Sequence, residues 1–229
     1  MINVKLANLK EQLMINMTDY QGMIFDFDGT LVDSMGLWHE IDILYLGRRN
    51  IDCPPNLSQS IAGMSFSETA EYFKARFDLP DDVNTIQQEW IDMSHDLYLS
   101  EIPFKQGALE FIKHLKVQGI PMALATSNNR LTTEAYFKKH RILSYFETLC
   151  FTNEVGVGKP DPAVFLKAAE IMNLSPERCL AFEDTPQGLM SAKNAGMTAV
   201  CVKDPYQDRQ QVLSIADYFT DDYIRFERL

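Results

Sequence analysis

The sequence predicts an α/β fold, a Rossmann-like doubly wound parallel sheet with an inserted all-helical domain. From about Pro103 to the end of the chain, short apolar runs alternate with amphipathic helical stretches, which is typical of parallel strands joined by helices. A further apolar run, ending at Phe25, lies far upstream. Between these regions, residues 34–97 show helical periodicity only. The chain therefore leaves the sheet after its first strand and returns to it near residue 98.

Length and composition indicate a soluble globular protein. The chain has 229 residues, of which 46% are hydrophobic and 23% charged, and this is enough for a substantial core. Its net charge of −11 argues against nucleic acid or an anionic membrane as a partner. We find neither a membrane-spanning apolar run nor a signal peptide. Nothing in the sequence requires an oligomer, so we expect a monomer.

The cysteines predict a reducing environment. Cys53, Cys150, Cys179 and Cys201 show no C-x-x-C spacing, and two of them fall in apolar strand-like runs. Buried, reduced thiols fit this pattern better than disulfides do. We therefore predict a cytoplasmic protein.

The N-terminal extension, residues 1–21, precedes the first strand. Leu6, Leu9 and Leu13 follow the spacing of one helix face, which predicts a short amphipathic helix on the body of the protein. We assign no function to this segment.

The inserted helical domain, residues 34–97, carries three amphipathic helices. Breaks at 53–55 and 79–82, both containing proline, separate them. The residues that we expect in its core are Leu37, Ile41, Leu44 and Tyr45 in the first helix, Phe66, Ala70, Phe73 and Phe77 in the second, and Val83, Ile86, Trp90, Met93 and Leu97 in the third.

The sheet domain is predicted from residues 22–33 together with 98–229. After the insertion, strands are expected at 120–126, 148–151, 178–183, 198–202 and 217–220. Helices are expected at 109–115 and 131–140, from an Asp161 N-cap followed by Pro162, and from Thr185 to Gly196. Parallel sheets bind ligands at the carboxyl ends of their strands, so the residues that follow each strand are the candidate site.

The first strand ends in two acids and a glycine, Asp26, Asp28 and Gly29. A carboxylate at the end of a buried strand is unfavourable unless a charged group meets it, and two acids aimed at one site repel unless a cation lies between them. Gly29 allows a sharp turn that frees backbone groups for a ligand. The stretch predicts a site for a hard cation, Mg2+ above all, beside a nucleophilic carboxylate; the alternative is a polar turn with solvated acids.

Three further strands end in polar residues. Thr126, Ser127 and Asn128 precede a helix, where hydroxyl and N–H groups hold phosphate well, although the same residue types are common N-caps. Lys159 follows a glycine-rich loop and suits the neutralisation of phosphate and nucleophile; taken alone, it fits a solvated loop lysine as well. Glu183–Asp184 adds two more acids at a strand end.

Asp-x-Asp, Thr-Ser, Lys-Pro and Glu-Asp follow one another in this order between about residues 22 and 204. With these motifs the sequence resembles the haloacid dehalogenase superfamily, and within it the branch that contains beta-phosphoglucomutase and its related phosphatases. The resemblance implies Mg2+-dependent phosphoryl transfer on a small phosphorylated metabolite. It implies that Asp26 is the nucleophile that becomes an aspartyl phosphate and that Asp28 is the general acid and base. The helical domain corresponds to the mobile cap of the family.

The remaining roles also come from the resemblance. It implies that Mg2+ is bound by Asp26, by the backbone carbonyl of Asp28, and by Asp184 together with Glu183. Thr126 and Lys159 match catalytic, phosphate-binding positions. The substrate-binding set that we predict around them comprises Gly29, Thr126, Ser127, Asn128, Lys159 and Phe66.

Among the activities of this superfamily, the residues favour hydrolysis of a small phosphomonoester such as a sugar, polyol or nucleotide phosphate. Dehalogenases lack the second acid, which is Asp28 here, and phosphonate cleavage uses a cap lysine, for which residues 34–97 offer only Lys74. A beta-phosphoglucomutase-like mutase is the main alternative. The basic pair of the mutase is missing from the matching stretch 60–67, and the position of its histidine falls at Trp38, with His39 one place off. A non-catalytic binding protein on the same fold is the remote alternative, against which the intact motifs speak.

The stretch 62–66 is the part of the helical domain that we expect to reach the substrate. It offers an aromatic ring in Phe66, a thioether and hydroxyls, but no cation. We therefore expect a leaving group that is neutral beyond its phosphate.

Overall fold

A six-stranded parallel sheet forms the centre of the protein, for which a computed structural model describes residues 15–226. The strands are β1 (Gly22–Phe25), β2 (Met122–Thr126), β3 (Thr148–Phe151), β4 (Cys179–Glu183), β5 (Thr198–Val202) and β6 (Tyr218–Thr220). Their order is β3-β2-β1-β4-β5-β6, and every neighbouring pair is parallel. The winding direction reverses between β1 and β4, which confirms the predicted doubly wound α/β fold.

Ten α-helices lie in the described part of the chain. They are α1 (Met35–Gly47), α2 (Leu57–Ile61), α3 (Phe66–Arg76), α4 (Val83–Ser100), α5 (Ala108–Val117), α6 (Arg130–Lys139), α7 (Thr152–Val155), α8 (Ala163–Ile171), α9 (Pro186–Asn194) and α10 (Arg209–Ile215). None of these ten has both the length and the apolar character that a membrane span requires. The helix predicted from Leu6, Leu9 and Leu13 lies outside the described residues.

The central strands are buried on both faces by different kinds of side chain. On one face, the rings of Phe25 and Phe182 stack with centroids 4.9 Å apart, and Phe111 of α5 packs edge-on against both. The other face carries smaller residues such as Ile24 and Ala181. Strands covered on both faces need continuous apolar sequence, which is why β1 and β4 are buried throughout.

Helices α1 to α4 share a hydrophobic cluster of their own. Its centre is a set of edge-to-face contacts among Tyr45, Phe73 and Trp90, with ring centroids 4.9 to 6.0 Å apart. The expectation that Leu44 belongs to this core is wrong, because its side chain is 55% exposed. The buried face of α1 is rotated past it, so that Leu46 takes the place next to Tyr45.

The last turn of α4 packs on the sheet rather than on the helical cluster. Tyr98 is fully buried, and its ring stacks on Phe27 with centroids 5.8 Å apart. The helix continues past residue 97, where we placed the domain end, to Ser100. We therefore infer that the boundary between the helical domain, 34–97, and the sheet domain runs through α4.

One predicted helix start differs in detail from the structure. The N-cap residue of α8 is Pro162 rather than Asp161. Asp161 Oδ1 accepts a hydrogen bond from the Ala163 N–H at 2.9 Å, as in an Asx turn. The predicted helix end at Gly196 agrees with its φ of +86°, a left-handed conformation that glycine adopts without strain.

Candidate active site

The strand register brings the predicted acids and hydroxyls to one edge of the sheet. Phe25 pairs with Leu124 of β2 on one side and with Phe182 of β4 on the other. Asp26 follows β1 directly, and its N–H donates to the Phe182 carbonyl at 3.0 Å. Thr126 and Glu183 end the neighbouring strands. This edge lies at the point where the strand order reverses, the usual ligand position in such sheets.

Lys159 is the buried cation at the centre of the site. Its Nζ donates to Asp26 Oδ1 at 2.7 Å, to Glu183 Oε1 at 2.6 Å and to the Ala125 carbonyl at 3.1 Å. Burial opposes its charge, but Asp26 and Glu183 outweigh that effect and raise the pKa of the Lys159 ammonium. Burial raises the pKa of Asp26 to about 7 despite the opposing Lys159 charge, with a further contribution from Glu183. Lys159 and Asp26, the candidate nucleophile, thus form a buried ion pair.

Glu183 orients the lysine and is itself held on every side. Its Oε2 accepts from the N–H groups of Asp184 and Thr185, both at 2.8 Å, and from the Thr185 hydroxyl at 3.0 Å. A Cβ at Gly188 would lie 1.7 Å from Glu183 Oε1, so the start of α9 must be glycine there. Both carboxylate oxygens of Glu183 thus accept hydrogen bonds, Oε1 from Lys159 and Oε2 from residues 184 and 185. The structure shows the contact with Lys159, and direct metal binding by Glu183 stays a prediction.

Asp184 has the unsatisfied oxygen that a cation site needs. The residue is fully buried; its Oδ1 accepts from the Thr30 hydroxyl at 3.0 Å, and its Oδ2 has no hydrogen-bond partner among residues 15–226. Burial, Glu183 and Asp26 raise the pKa of Asp184 well above its ordinary value. One ligand atom from each of Asp26, Glu183 and Asp184 lies within 4.8 Å of the others. Clustered carboxylates of this kind fit a hard divalent cation.

Gly29 lies directly against Asp184. It has φ +73°, and a Cβ there would be 2.4 Å from Asp184 Oδ2. Its N–H donates to the Val32 carbonyl at 2.9 Å, so this amide is used inside the loop. A contact between Gly29 and substrate therefore stays a prediction, whereas its close approach to Asp184 is a feature of the structure.

Asp28 is fixed by donors from both domains. Ser34 Oγ donates to its Oδ1 at 2.5 Å and Trp38 Nε1 at 3.2 Å, the Tyr98 hydroxyl donates to the same oxygen, and Asn128 Nδ2 donates to Oδ2 at 2.7 Å. Burial and the adjacent Asp28 carboxylate raise the pKa of the Tyr98 hydroxyl well above its ordinary value. Tyr98 therefore stays a proton donor to Asp28.

The start of α6 presents hydroxyl groups to the same edge. Thr126 Oγ1 accepts from the Asn128 N–H at 3.1 Å. Ser127 Oγ is buried and has no partner in the part of the chain that the structure describes. Asn129 provides the N-cap of α6 by accepting from the Thr132 N–H at 2.9 Å. Since a residue other than Ser127 caps the helix, the Ser127 hydroxyl is left for a ligand.

These groups open into a cavity of about 200 Å³ between the helical and sheet domains. Eight of the predicted site residues line it: Asp26, Asp28, Phe66, Thr126, Ser127, Asn128, Lys159 and Glu183. Gly29 and Asp184 are not among its lining residues. The opposite wall comes from α1 and from the segment 61–66. The stretch 62–66 thus faces the residues predicted to be catalytic, and its contact with substrate stays a prediction.

Several lining or supporting residues were not predicted. Tyr206 and Gln207 line the cavity after β5, and their position after a strand of the same sheet was the available signal. Tyr98 and Ser34 do not directly follow a strand of the sheet, so no such indication in the sequence pointed to them. Trp38 was noted only as a replacement for the mutase histidine, not as a donor to Asp28.

Three features together indicate the class of protein. They are the doubly wound sheet, the buried Asp–Lys–Glu cluster at the point where its strand order reverses, and the helical insertion after the first strand. The chain matches the haloacid dehalogenase-like hydrolase family over residues 23–202. It therefore belongs to that family, and the predicted membership is confirmed.

Two relatives and one solved structure give more specific comparisons for this chain. (DL)-glycerol-3-phosphatase 2 from Arabidopsis thaliana is 33% identical over 197 residues, which cover 81% of this chain and 80% of the relative. The bifunctional riboflavin kinase/FMN phosphatase from the same plant is 30% identical over 181 residues, 79% of this chain but 48% of that protein, so the chain spans about half of its length. A beta-phosphoglucomutase structure from Clostridium difficile has a TM-score of 0.76 and 19% identity, covering 91% of this chain and 96% of that one. This structural likeness shows the fold alone.

Proposed function

We propose that the protein is a Mg2+-dependent phosphatase that hydrolyses a small phosphomonoester through an aspartyl phosphate on Asp26. One observation carries the proposal: Asp26, fixed by Lys159, faces the same cavity as Asp28, Thr126 and the free Ser127 hydroxyl. Nucleophile, proton carrier and phosphate-binding hydroxyls are thus within one small volume, as phosphoryl transfer requires.

The first step is attack of an Asp26 carboxylate oxygen on phosphorus while the bond to the leaving alcohol breaks. Lys159 donates to Asp26 Oδ1 at 2.7 Å and so fixes the orientation of the attacking carboxylate. Asp28 gives its proton to the departing alcohol oxygen. In the second step Asp28 accepts a proton from water, the water oxygen attacks phosphorus, and the aspartyl P–O bond breaks to release inorganic phosphate.

The unpartnered oxygen of Asp184 and the adjacent Asp26 fit a bound Mg2+. When bound, the cation neutralises the repulsion between Asp26 and the phosphate oxygens. Asp26, Asp184 and the Asp28 carbonyl are the ligands that we propose, with Glu183 beside them. Thr30 fixes Asp184 by the hydrogen bond to its Oδ1.

Phosphatase activity is favoured over mutase activity by the wall opposite Asp28. No basic residue lies in the segment 60–67, and Trp38 rather than histidine contacts Asp28. Lys74, the one lysine of the helical domain, donates to backbone carbonyls of Leu79 and Asp81 and does not line the cavity. The names of the two relatives, a glycerol-3-phosphatase and an FMN phosphatase, support a polyol or nucleotide phosphate as substrate.

We propose further that the helical domain acts as a cap and that the enzyme works in the cytoplasm as a monomer. The four cysteines, all free thiols, support the reducing compartment. The segment 61–66 of the helical domain lies directly on the loop that carries Lys159, which we call the catalytic loop. A Cβ at Gly63 would be 2.7 Å from the Lys159 carbonyl. Closure of this contact would exclude water from the charged cluster.

The test is release of inorganic phosphate from a panel of glycerol, hexitol, sugar and nucleotide phosphates, with Mg2+ and with EDTA. We expect Mg2+-dependent turnover by the wild type and at least a hundredfold loss for Asp26→Asn, because an amide is no anionic nucleophile. Asp161→Asn, an exposed change in a loop, is the control. Turnover by Asp26→Asn above about a hundredth of the wild-type rate would refute the nucleophile assignment. No turnover by wild type on any substrate would refute the proposed function.

A further inference from the structure

Asp42 is a buried carboxyl in the cap that the proposed chemistry does not use. Its residue exposure is 7%, and no hydrogen bond or ion pair joins its carboxylate to another residue between 15 and 226. Burial and the nearby Asp42 charge together raise the pKa of the Cys53 thiol. Burial alone raises the pKa of Asp42 to about 7. A buried carboxyl without a partner is unfavourable in an apolar core, so its surroundings decide how it is to be explained.

The side chain of Asp42 belongs to the wall of the catalytic cavity. Met35, Trp38, His39 and Asp42 of α1 all line that cavity, and their spacing of three and four residues places them on one face of the helix. The neighbouring residues Ile41 and Tyr45 belong to the cap core, and Trp38 contacts both the core and the cavity. Asp42 thus lies at the border between the cap core and the cavity, and it lines the cavity.

Asp42 lies about one helical turn beyond the residue of α1 that contacts Asp28. Trp38 contacts the proton carrier Asp28, and Asp42 lies four residues, or about 6 Å along the helix axis, farther on. A phosphate at Asp26 with its ester oxygen at Asp28 would therefore direct the rest of the substrate along this face. Much of the wall around that path is apolar and includes Met64 and Trp90.

Charge in the cavity limits what this end can bind. Of the described residues that line it, only Lys159 and His39 are basic, and Lys159 is already paired with Asp26 and Glu183. A carboxylate at Asp42 accepts hydrogen bonds and repels a second anion. The chemistry that matches this wall is a neutral leaving group with a hydroxyl donor at its far end.

We propose, on the basis of the phosphatase function proposed above, that Asp42 is a specificity-determining residue that accepts a hydrogen bond from a leaving-group hydroxyl of a polyol or sugar phosphate. The same carboxylate selects against substrates that carry a carboxylate or a second phosphate. Binding of such a substrate supplies the partner that Asp42 lacks in the free protein.

The experiment compares Asp42→Leu and Asp42→Asn with wild type at pH 8 on three substrates: glycerol 3-phosphate, p-nitrophenyl phosphate, which has no hydroxyl donor, and phosphoglycolate, which has a carboxylate. For Asp42→Leu, the ratio of kcat/KM for glycerol 3-phosphate to that for p-nitrophenyl phosphate should fall about 10- to 150-fold, the span of a hydrogen bond to a charged group. Most of the fall should be in KM. For Asp42→Asn, the ratio for phosphoglycolate over glycerol 3-phosphate should rise about tenfold.

Asp52→Asn is the control, because Asp52 is an exposed cap residue outside the cavity; its ratios should equal those of wild type. Ratios unchanged in both Asp42 variants, in an enzyme whose wild type hydrolyses glycerol 3-phosphate, would overturn the role of Asp42 and leave the phosphatase intact. A uniform loss on all three substrates would also overturn it, since that result indicates a structural role. Absence of wild-type turnover on any phosphomonoester would instead be the failure of the proposed function.

Discussion

The buried carboxyl of Asp42 predicts that Asp42→Asn stabilises the folded protein at alkaline pH. The ordinary pKa of 3.8 applies in the unfolded chain, and burial raises it to about 7 in the folded one. The folded state therefore holds a proton that the unfolded state releases between these two values, and the free energy of unfolding falls as the pH rises through this window. Three units correspond to about 4 kcal/mol at pH 8 as an upper bound.

Replacement by asparagine removes this penalty but leaves an amide to be buried, which itself costs about 1–3 kcal/mol. We expect Asp42→Asn to be about 1–3 kcal/mol more stable than wild type at pH 8. Near pH 5, wild-type Asp42 is protonated in the folded state, so most of the advantage should disappear. The change in the stability difference between pH 5 and pH 8 should be about 2–3 kcal/mol.

Urea denaturation at the two pH values, with EDTA present, measures this difference directly. Asp52→Asn, an exposed aspartate of the same cap, should give a stability difference that is independent of pH. A stability difference for Asp42→Asn that does not change with pH, or a less stable variant at pH 8, would refute the reasoning. If Asp42→Asn is more stable and its substrate selectivity changes, then Asp42 lowers stability in favour of function, a trade-off that is common at binding sites.

Three further outcomes are expected. Lys159→Met should lose about 3–5 kcal/mol of stability in urea at pH 8, because Asp26 and Glu183 are left buried without their cation; Lys167→Met on the surface should change it by about 0.5 kcal/mol at most, and equal effects would count against the buried triad. Asp28→Asn should lose more activity on glycerol 3-phosphate than on p-nitrophenyl phosphate, whose leaving group needs no proton, and equal losses would remove Asp28 as the acid. Gly158→Ala should lower kcat/KM about tenfold or more, because the added Cβ would lie 2.6 Å from Gly63 O and Ser65 N where the cap meets the catalytic loop; Gly47→Ala, with open space around it, is the control, and wild-type kinetics for Gly158→Ala would show that this contact is not needed.

Much of the candidate site at the carboxyl ends of the strands was predictable from the sequence, because the sequence patterns that mark the strand ends are local. Strands buried on both faces appear as apolar runs, and the polar residues that interrupt them, such as Asp26, Thr126 and Glu183, mark their carboxyl ends. The parallel topology then brings these ends together without any knowledge of side-chain contacts. Leu44 shows the limit of the same method: apolar spacing leaves the rotation of a helix face uncertain by about one residue, and packing selected Leu46 instead.

Contacts between distant segments could not be read from the sequence. Phe66 illustrates this, since the sequence placed it at the substrate, whereas the structure gives it two roles. It lines the cavity, but it is only 8% exposed and its ring packs edge-on against Trp38 and Trp90. A charged residue at this position, which the sequence alone would suggest as a test of phosphate preference, would be buried in the cap core. Asp42 is therefore the better position from which to alter selectivity.

The hydrogen bonds to Asp28 connect the position of the helical domain to the proposed catalysis. Its carboxylate is held by Ser34, which precedes α1, by Trp38 on α1 and by Tyr98 in the last turn of α4. These are the two places where the chain enters and leaves the helical domain, so a rotation of that domain must move three of the donors that orient the Asp28 carboxylate. Asn128, from the sheet domain, holds the other oxygen of Asp28 and also donates to the Tyr98 hydroxyl at 3.1 Å. Asp28 therefore has its full set of hydrogen bonds only with the helical domain in the position seen here. In the mechanism that we propose, closure of that domain over the substrate would complete the geometry that proton transfer by Asp28 requires.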